Sequence, residues 1–470
     1  MSKNFYLLLV VLLFNLDAVA QIITIPDGAF KSKLIASNTS NGIAKNSFGN
    51  SIKIDINSNG EIEESEALNV VQLNVSTNIL NTFNNISDLS GLENFTNVKV
   101  VNCSGNSIAS INVNTLIQLE ELKANNNVIT SVVLFGAASS LKKIDLNNNQ
   151  LTSLNTDNFI NLTTLYAYNN SLANISFNNN PLLASLNLRI NFLTSLDVSV
   201  LPSLSWVSCD DNDLVSLNVS GLSQIDEIVC SNNLLTSLNL NGLTTLRILY
   251  CGGNQINTIN LSTLSTLSIL ECSNNPLSFI TVDGLTNLVF LNVSNTTIST
   301  IDCSQSGVVQ LWASYCLNLQ TINVQNNMLS YSDPDLLSFA FRIENNPALL
   351  SICMDNDEQN NLAFTNYNTS GTVAVFNGAN CDIPVQVNMG VSNFNRSLIT
   401  LYPNPTLSII NIEVSNNQPI IKTSVSNIIG QTILTFENSS ALDVSSLSKG
   451  TYFITIETDS DRQTQKIIKL

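Results

Sequence analysis

One stretch near the N-terminus has residue types and spacing suited to holding a hard cation. Asp55-Ile-Asn57-Ser-Asn59-Gly60-Glu61-Ile-Glu63-Glu-Ser-Glu66 fits the pattern D-x-[DN]-x-[DN]-G-x5-E at every fixed position. Such spacing turns alternate oxygens toward one point, the glycine permits a sharp turn, and the final glutamate can bind through both oxygens. Calcium is therefore the one cofactor expected, with Asp55, Asn57, Asn59, Glu61, Glu63 and Glu66 as the ligand set. Asn57 and Asn59 are neutral, and the loop has no paired second copy. The competing reading is an ion-free turn in which Asp55 and the asparagines bond backbone amides.

Other chemistry is narrowed by what the chain lacks. The 470 residues contain no histidine, which removes Ser-His-Asp and Cys-His catalysis and the commonest metal ligand. The net charge of −17 repels nucleic acid, whose binding rests on basic contacts to phosphate. Asp210, Asp211 and Glu227 are the one acidic group worth testing for hydrolysis. Of the nine cysteines, Cys103, Cys209, Cys230, Cys251 and Cys272 occupy a position filled elsewhere by Leu146, Leu188 and Val293. They read as buried thiols serving as core residues. Cys353 and Cys381 lie together in the C-terminal cap and are expected to pair as a disulfide; two unpaired thiols are the alternative.

The elements that position these residues come from a repeat, L-x-x-L-x-C-x-x-N-x-L-x-x-I-x-V, clearest from Leu267 to Val282. Its asparagine recurs at Asn106, Asn127, Asn149, Asn170, Asn191, Asn212, Asn233, Asn254 and Asn275, every 21 residues apart from one step of 22. A fixed period of this length predicts a solenoid. The alternation before each asparagine predicts a short strand, and stacking places the strands in one parallel sheet. The asparagine amide is expected to bond backbone groups of neighbouring coils in a buried row. The return half of each coil is too short and β-prone for a full α-helix, so extended or 3-10 backbone is expected there. Outward positions on the concave face include Tyr166, Tyr168, Arg189 and Trp206 on three successive rungs, with Asp210, Asp211, Glu227 and Tyr250 beyond them. Aromatic residues and arginine are enriched where partners bind; cross-strand packing is the alternative use.

The fold class expected is a β-rich solenoid with N- and C-terminal caps plus a small C-terminal β-sandwich. Residues 1–20 read as a signal peptide, with an apolar run Phe5–Phe14 and an Ala18-Val-Ala20 cleavage site. Residues 21–97 form the N-terminal cap with the EF-hand-like loop, 98–342 the repeats, 343–383 the C-terminal cap and 384–397 a linker. Alternating runs at Ile409–Val414, Thr423–Ile428, Thr432–Phe436, Thr451–Ile456 and Gln465–Ile468 predict the sandwich in 398–470.

Two resemblances sharpen this reading. The repeats resemble the cysteine-ladder variety of 21-residue leucine-rich repeats seen in internalin-type adhesins. Leu401-Tyr402-Pro403-Asn404-Pro405, the run Asp443–Phe453 with Gly450 and Tyr452, and Lys466-Ile-Ile-Lys-Leu470 resemble the type A sorting domain of the type IX secretion system of Bacteroidetes. That resemblance implies contact with the secretion machinery through 398–470, outer-membrane translocation, and release or surface attachment. The expected function is a secreted or cell-surface protein, not an enzyme, that binds a protein or glycan partner on its concave face. A secreted hydrolase or its accessory subunit, and a structural surface-layer component, are the alternatives.

Overall fold

The computed structural model describes residues 21–77, 85–327, 341–355, 374–377, 399–414, 419–427, 431–458 and 462–470. The expected signal peptide, the linker 384–397 and Cys381 lie outside the described residues. The chain divides into two compact units, Met1–Asn388 and Met389–Leu470.

In the first unit the repeats coil into a solenoid. Among the described residues, fourteen strands form one sheet, parallel except where Ala44–Lys45 pairs antiparallel with Gln72–Asn74 at its start. Most strands are three residues long, as in Glu121–Lys123, Trp206–Ser208 and Ile248–Tyr250. The central residue points inward and its two neighbours outward, which is the period-two geometry of extended chain. Thus Leu122, Val207 and Leu249 are fully buried while the residues flanking them are largely outward-facing. Leu267, Leu270, Cys272, Leu277, Ile280 and Val282 of the clearest repeat are all buried, so each coil contributes its apolar set to one shared core.

All nine repeat asparagines are buried, none exposing more than 9% of its surface. Asn233 shows the pattern. Its Nδ2 donates to the carbonyls of Cys230 and Ser231 in its own coil and of Cys209 in the preceding one, each at 3.1 Å, while its Oδ1 accepts from Leu214 N–H at 3.0 Å. One side chain thereby pairs four backbone groups that water cannot reach. The row continues through Thr296, whose hydroxyl donates to the Val293 carbonyl and lies 3.5 Å from Cys316 Sγ, then through Cys316, and a carboxamide returns at Asn346.

The return halves are extended and in places form small parallel sheets, Ser110–Asn112 with Ser131–Val133 and Ser195–Asp197 with Ser216–Asn218. Short 3-10 turns occur at Leu92–Asn94 and Phe135–Ala137. The N-terminal cap holds a helix, Gly28–Ile35, that buries Phe30 and Leu34. Asp27 caps this helix through Phe30 N–H, and its other oxygen accepts from Ser87 and Asp88 N–H, tying the cap to the first coil. Burial raises the Asp27 pKa, but these bonds together leave it below the usual carboxylate value.

The second unit is a pair of antiparallel sheets. Ile399–Tyr402, Ile409–Val414 and Ala441–Asp443 form one; Thr432–Glu437, Ile420–Ser426, Gly450–Thr458 and Arg462–Lys469 form the other. Ile410, Val425, Leu442, Ile454 and Ile467 close its core. Two of these strands, Ile399–Tyr402 and Ala441–Asp443, are absent from the sequence expectation because they are short and lack clear alternation. The strand expected at Thr423–Ile428 starts earlier, at Ile420.

Replacing Asn233 with Ala strands the Leu214 N–H and the Cys209 and Cys230 carbonyls, while the Ser231 carbonyl keeps its bond from Asp211 N–H. The expected loss is about 1–3 kcal/mol in urea-induced unfolding. A loss below about 0.5 kcal/mol would mean that the carboxamide row does not lock the coils.

Candidate functional site

The outward face of the parallel sheet carries two rows of side chains. One row runs Thr164, Ser185, Trp206, Glu227, Ile248, Ile269, Phe290; the other runs Tyr166, Asn187, Ser208, Val229, Tyr250, Glu271, Asn292, Trp312. Neighbouring rungs are about 4.8 Å apart, so each side chain meets the next copy in its row. The sequence-predicted aromatics do come together. Tyr166 meets Trp206 edge-on with ring centroids 6.3 Å apart and an interplanar angle of 81°, an arrangement favoured by the ring quadrupoles. The Tyr166 hydroxyl lies 3.3 Å from Ser185 Oγ. Tyr168 stands apart from this pair, its hydroxyl accepting from Asn148 Nδ2 at 3.0 Å.

Arg189 is shared between two aspartates. Arg189 Nε lies 2.7 Å from Asp210 Oδ2, and its Nη2 lies 3.1 Å from Asp211 Oδ2. Asp211 and then Asp210 hold the guanidinium pKa above its ordinary value. Asp210 is buried and accepts from Ser208 Oγ at 2.6 Å. Burial pushes its pKa up, against the opposing pull of Ser208 and Arg189. Tyr250 sits in the field of Glu227 and Glu271; burial first, then those two carboxylates, raise its phenol pKa.

Several residues on this face escape sequence reading. Phe290 packs edge-on against Trp312 at 4.9 Å, and the Arg342 guanidinium lies over the Trp312 ring at 4.3 Å. Phe290 is placed on this face by its repeat position, but Trp312 and Arg342 follow the irregular last repeats. The available signal was Cys316, which stands one residue early in the repeat and shifts the register of Gln310–Trp312 to match.

A second row at the sheet edge comes from doubled asparagines. Asn126, Asn148, Asn169, Asn232, Asn274 and Asn295 each precede a core ladder position and adopt φ between 52° and 57°. Asparagine tolerates this left-handed turn better than most residues. These side chains bond from rung to rung, as in Asn169 Nδ2 to Asn148 Oδ1 at 2.8 Å. Ile190 holds the same place at φ 51°, a strained conformation for a β-branched residue, and breaks the row.

The oxygen-rich loop is arranged as a locked turn. Gly60 adopts φ 77° and the Asp55 carboxylate accepts from Asn59 N–H at 3.1 Å and Gly60 N–H at 3.3 Å. Asn59 Nδ2 donates to Glu63 at 2.6 Å, while Glu66 accepts from Ile56 and Glu63 N–H. Burial and then the adjacent Glu63 carboxyl raise the Glu66 pKa; the same contact, with the Asn59 amide, lowers that of Glu63. Glu61 turns to Lys31 at 2.7 Å. Among the described residues no three acidic or sulfur side chains converge to hold a metal ion. A hard cation here would draw on amide and backbone oxygens as well. The N-terminal segment pairs antiparallel with the loop, Ile23 N–H donating to the Ile62 carbonyl at 2.8 Å.

The repeat cysteines are free and buried, and burial raises the Cys103 thiol to about 12. They are inert core residues. Cys353 is disulfide-bonded.

In the C-terminal unit, Asn404 joins the Tyr402-Pro403-Asn404-Pro405 segment to the last strand. Its Nδ2 donates to the Lys466 carbonyl at 2.9 Å and its Oδ1 accepts from Ile468 N–H at 2.9 Å. Tyr452 is buried and its hydroxyl donates to the Ser448 carbonyl at 3.0 Å. Gly450 opens the strand that pairs with Arg462–Lys469, opposite Lys469.

Residues 400–470 match the family model of the secretion system C-terminal sorting domain. The C-terminal unit is a type IX sorting domain. The protein is therefore exported, to be attached at the outer cell surface or secreted, and this domain is its link to the secretion machinery. No helix among the described residues is long and apolar enough to cross a membrane. The repeats have the leucine-rich-repeat fold. Their fold is similar to the functional domain of InlJ from Listeria monocytogenes, which includes a cysteine ladder, at 20% identity over 87% of this chain and 93% of that one, TM-score 0.56. An internalin, InlF, from the same organism aligns at 18% identity over 68% of this chain and 99% of that one, TM-score 0.45. No curated protein matches by sequence.

Within the sorting domain, changing Asn404 to Ala removes both ties to the final strand. Hydrogen exchange at the Ile468 amide is expected to accelerate by at least about tenfold while the amide of Ile454 in the core stays protected. Equal protection of Ile468 in both proteins would refute the tie.

Proposed function

We propose that the exported repeats act as a binding module, without turnover, whose concave sheet face recognises a protein or glycan partner. The observation that carries this is the half-buried Tyr166–Trp206 pair on a rigid sheet whose fold is held by residues on its other side. Such aromatic positions supply contact area at little entropic cost. Two of the three carboxylates that a hydrolase would need are already committed, since Asp210 and Asp211 both bind Arg189. Capture of a partner from host or community lysate by the full-length protein, followed by affinity measurement, tests the reading. Trp206→Ala is expected to weaken capture by about tenfold or more with an unchanged thermal melt. Equal capture would remove Trp206 from the interface, and cleavage of a glycan or peptide lost in Asp210→Ala would revive the hydrolase reading.

We also propose that the Asp55–Glu66 loop takes calcium as a stabilising ligand of the cap. Side-chain oxygens of Asp55, Asn57, Asn59, Glu63 and Glu66 and the backbone of Glu61 would hold it, offsetting the repulsion between Glu63 and Glu66. The supporting feature is the left-handed Gly60 turn with both Asp55 oxygens bonded beneath it. Calcium in excess over chelator should raise Tm by about 2 °C or more, an effect lost in Asp55→Ala. Identical melting in calcium and in chelator sinks the site.

A further inference from the structure

The sheet face holds a carboxylate that lacks a partner. Glu227 points outward and is half-buried, with Trp206 on the preceding rung of its row and Ile248 on the next. No hydrogen bond or ion pair engages its carboxylate among the described residues. Arg247 lies within its field, but that guanidinium is spent on Asp226, with contacts of 2.5 and 2.7 Å. The Tyr250 hydroxyl is likewise without a hydrogen bond there and stands in the joint field of Glu227 and Glu271. Glu271 differs, because its oxygens accept from Gly252 N–H at 3.0 Å and Ser273 N–H at 3.1 Å.

A carboxylate with no protein partner on an outward face is free to take a cation set against it. The surroundings say which kind of cation. Indole and phenol faces attract organic cations through the ring quadrupole. A hydrated metal ion gains little from them, and among the described residues no cluster of acidic or sulfur groups could ligate one. A neutral glycan would hydrogen-bond the carboxylate through its hydroxyls but bring no charge to balance it. The chain's net charge of −17 also steers basic partners toward it.

We propose that Trp206, Glu227 and Tyr250 form a subsite for the basic side chain, lysine or arginine, of a protein partner. Tyr166, edge-on to Trp206, buttresses the indole that the side chain's stem packs against. This rests on the reading that the sheet face is where partners bind, and it selects protein over glycan.

The chain holds two tryptophans, Trp206 and Trp312, and loss of one indole N–H resonance in Trp206→Phe assigns the signals. The probe is acetyl-Gly-Lys-Gly-amide titrated into the full-length protein, with its norleucine counterpart as control. The expected result is a saturable shift of the Trp206 signal with the lysine peptide alone, weakened by about tenfold or more in Glu227→Gln, while the Trp312 signal stays fixed and reports an intact fold. Equal shifts with both peptides, no shift, or an unchanged titration in Glu227→Gln overturns the subsite. Trp206-dependent capture of a partner that persists while the lysine peptide gives no shift leaves the binding module standing and removes this subsite alone.

Discussion

The whole first unit depends on how a buried turn disposes of its peptide groups. Where each strand leaves the sheet, part of the bend still pairs from coil to coil, as Asn232 N–H does with the Gly252 carbonyl at 2.8 Å. The remaining carbonyls and amides of that bend would go unsatisfied, at a cost of about 1–3 kcal/mol each. A carboxamide offers donors and an acceptor on one planar group. Asn127, for example, donates to Cys103 and Ala124 carbonyls and accepts from Ile108 N–H. Neither Thr296 nor Cys316 can reproduce that set, and the next carboxamide, Asn346, bonds the Cys316 amide from thirty residues on.

That interior lock leaves the outer face free for other chemistry. The central residue of each strand and the asparagine after it hold the fold, so the flanking positions can vary without loss of structure. Toward the N-terminal side they carry charges that pair among themselves, as Lys123 does with Glu121. Further on they become aromatic and aliphatic, from Tyr166 and Trp206 through Ile248 and Ile269 to Phe290 and Trp312. Arginine enters this track twice, at Arg189 held by two aspartates and at Arg342 stacked on an indole. The sorting domain is built by a different rule, with an antiparallel core and a terminal strand fastened through Asn404. The repeats and the sorting domain thus occupy separate units of the chain.

The amino-acid sequence by itself determined the solenoid, the buried asparagine row, the core role of the cysteines and the sorting domain. A repeat states each constraint many times over, so the 21-residue period survives local noise, and a signature such as Tyr402-Pro403-Asn404-Pro405 with Lys466–Leu470 is read without knowing its contacts. The face was legible as a set of positions and not as a set of partners. Only the tertiary structure decided that Arg189 spends itself on Asp210 and Asp211, that Glu227 is left over, and that Trp312 meets Phe290 and Arg342. The reason is physical: periodicity dictates which side a residue faces, whereas its partner depends on rotamer choice and register between rungs some twenty residues apart. Those are fixed only when the coils are stacked.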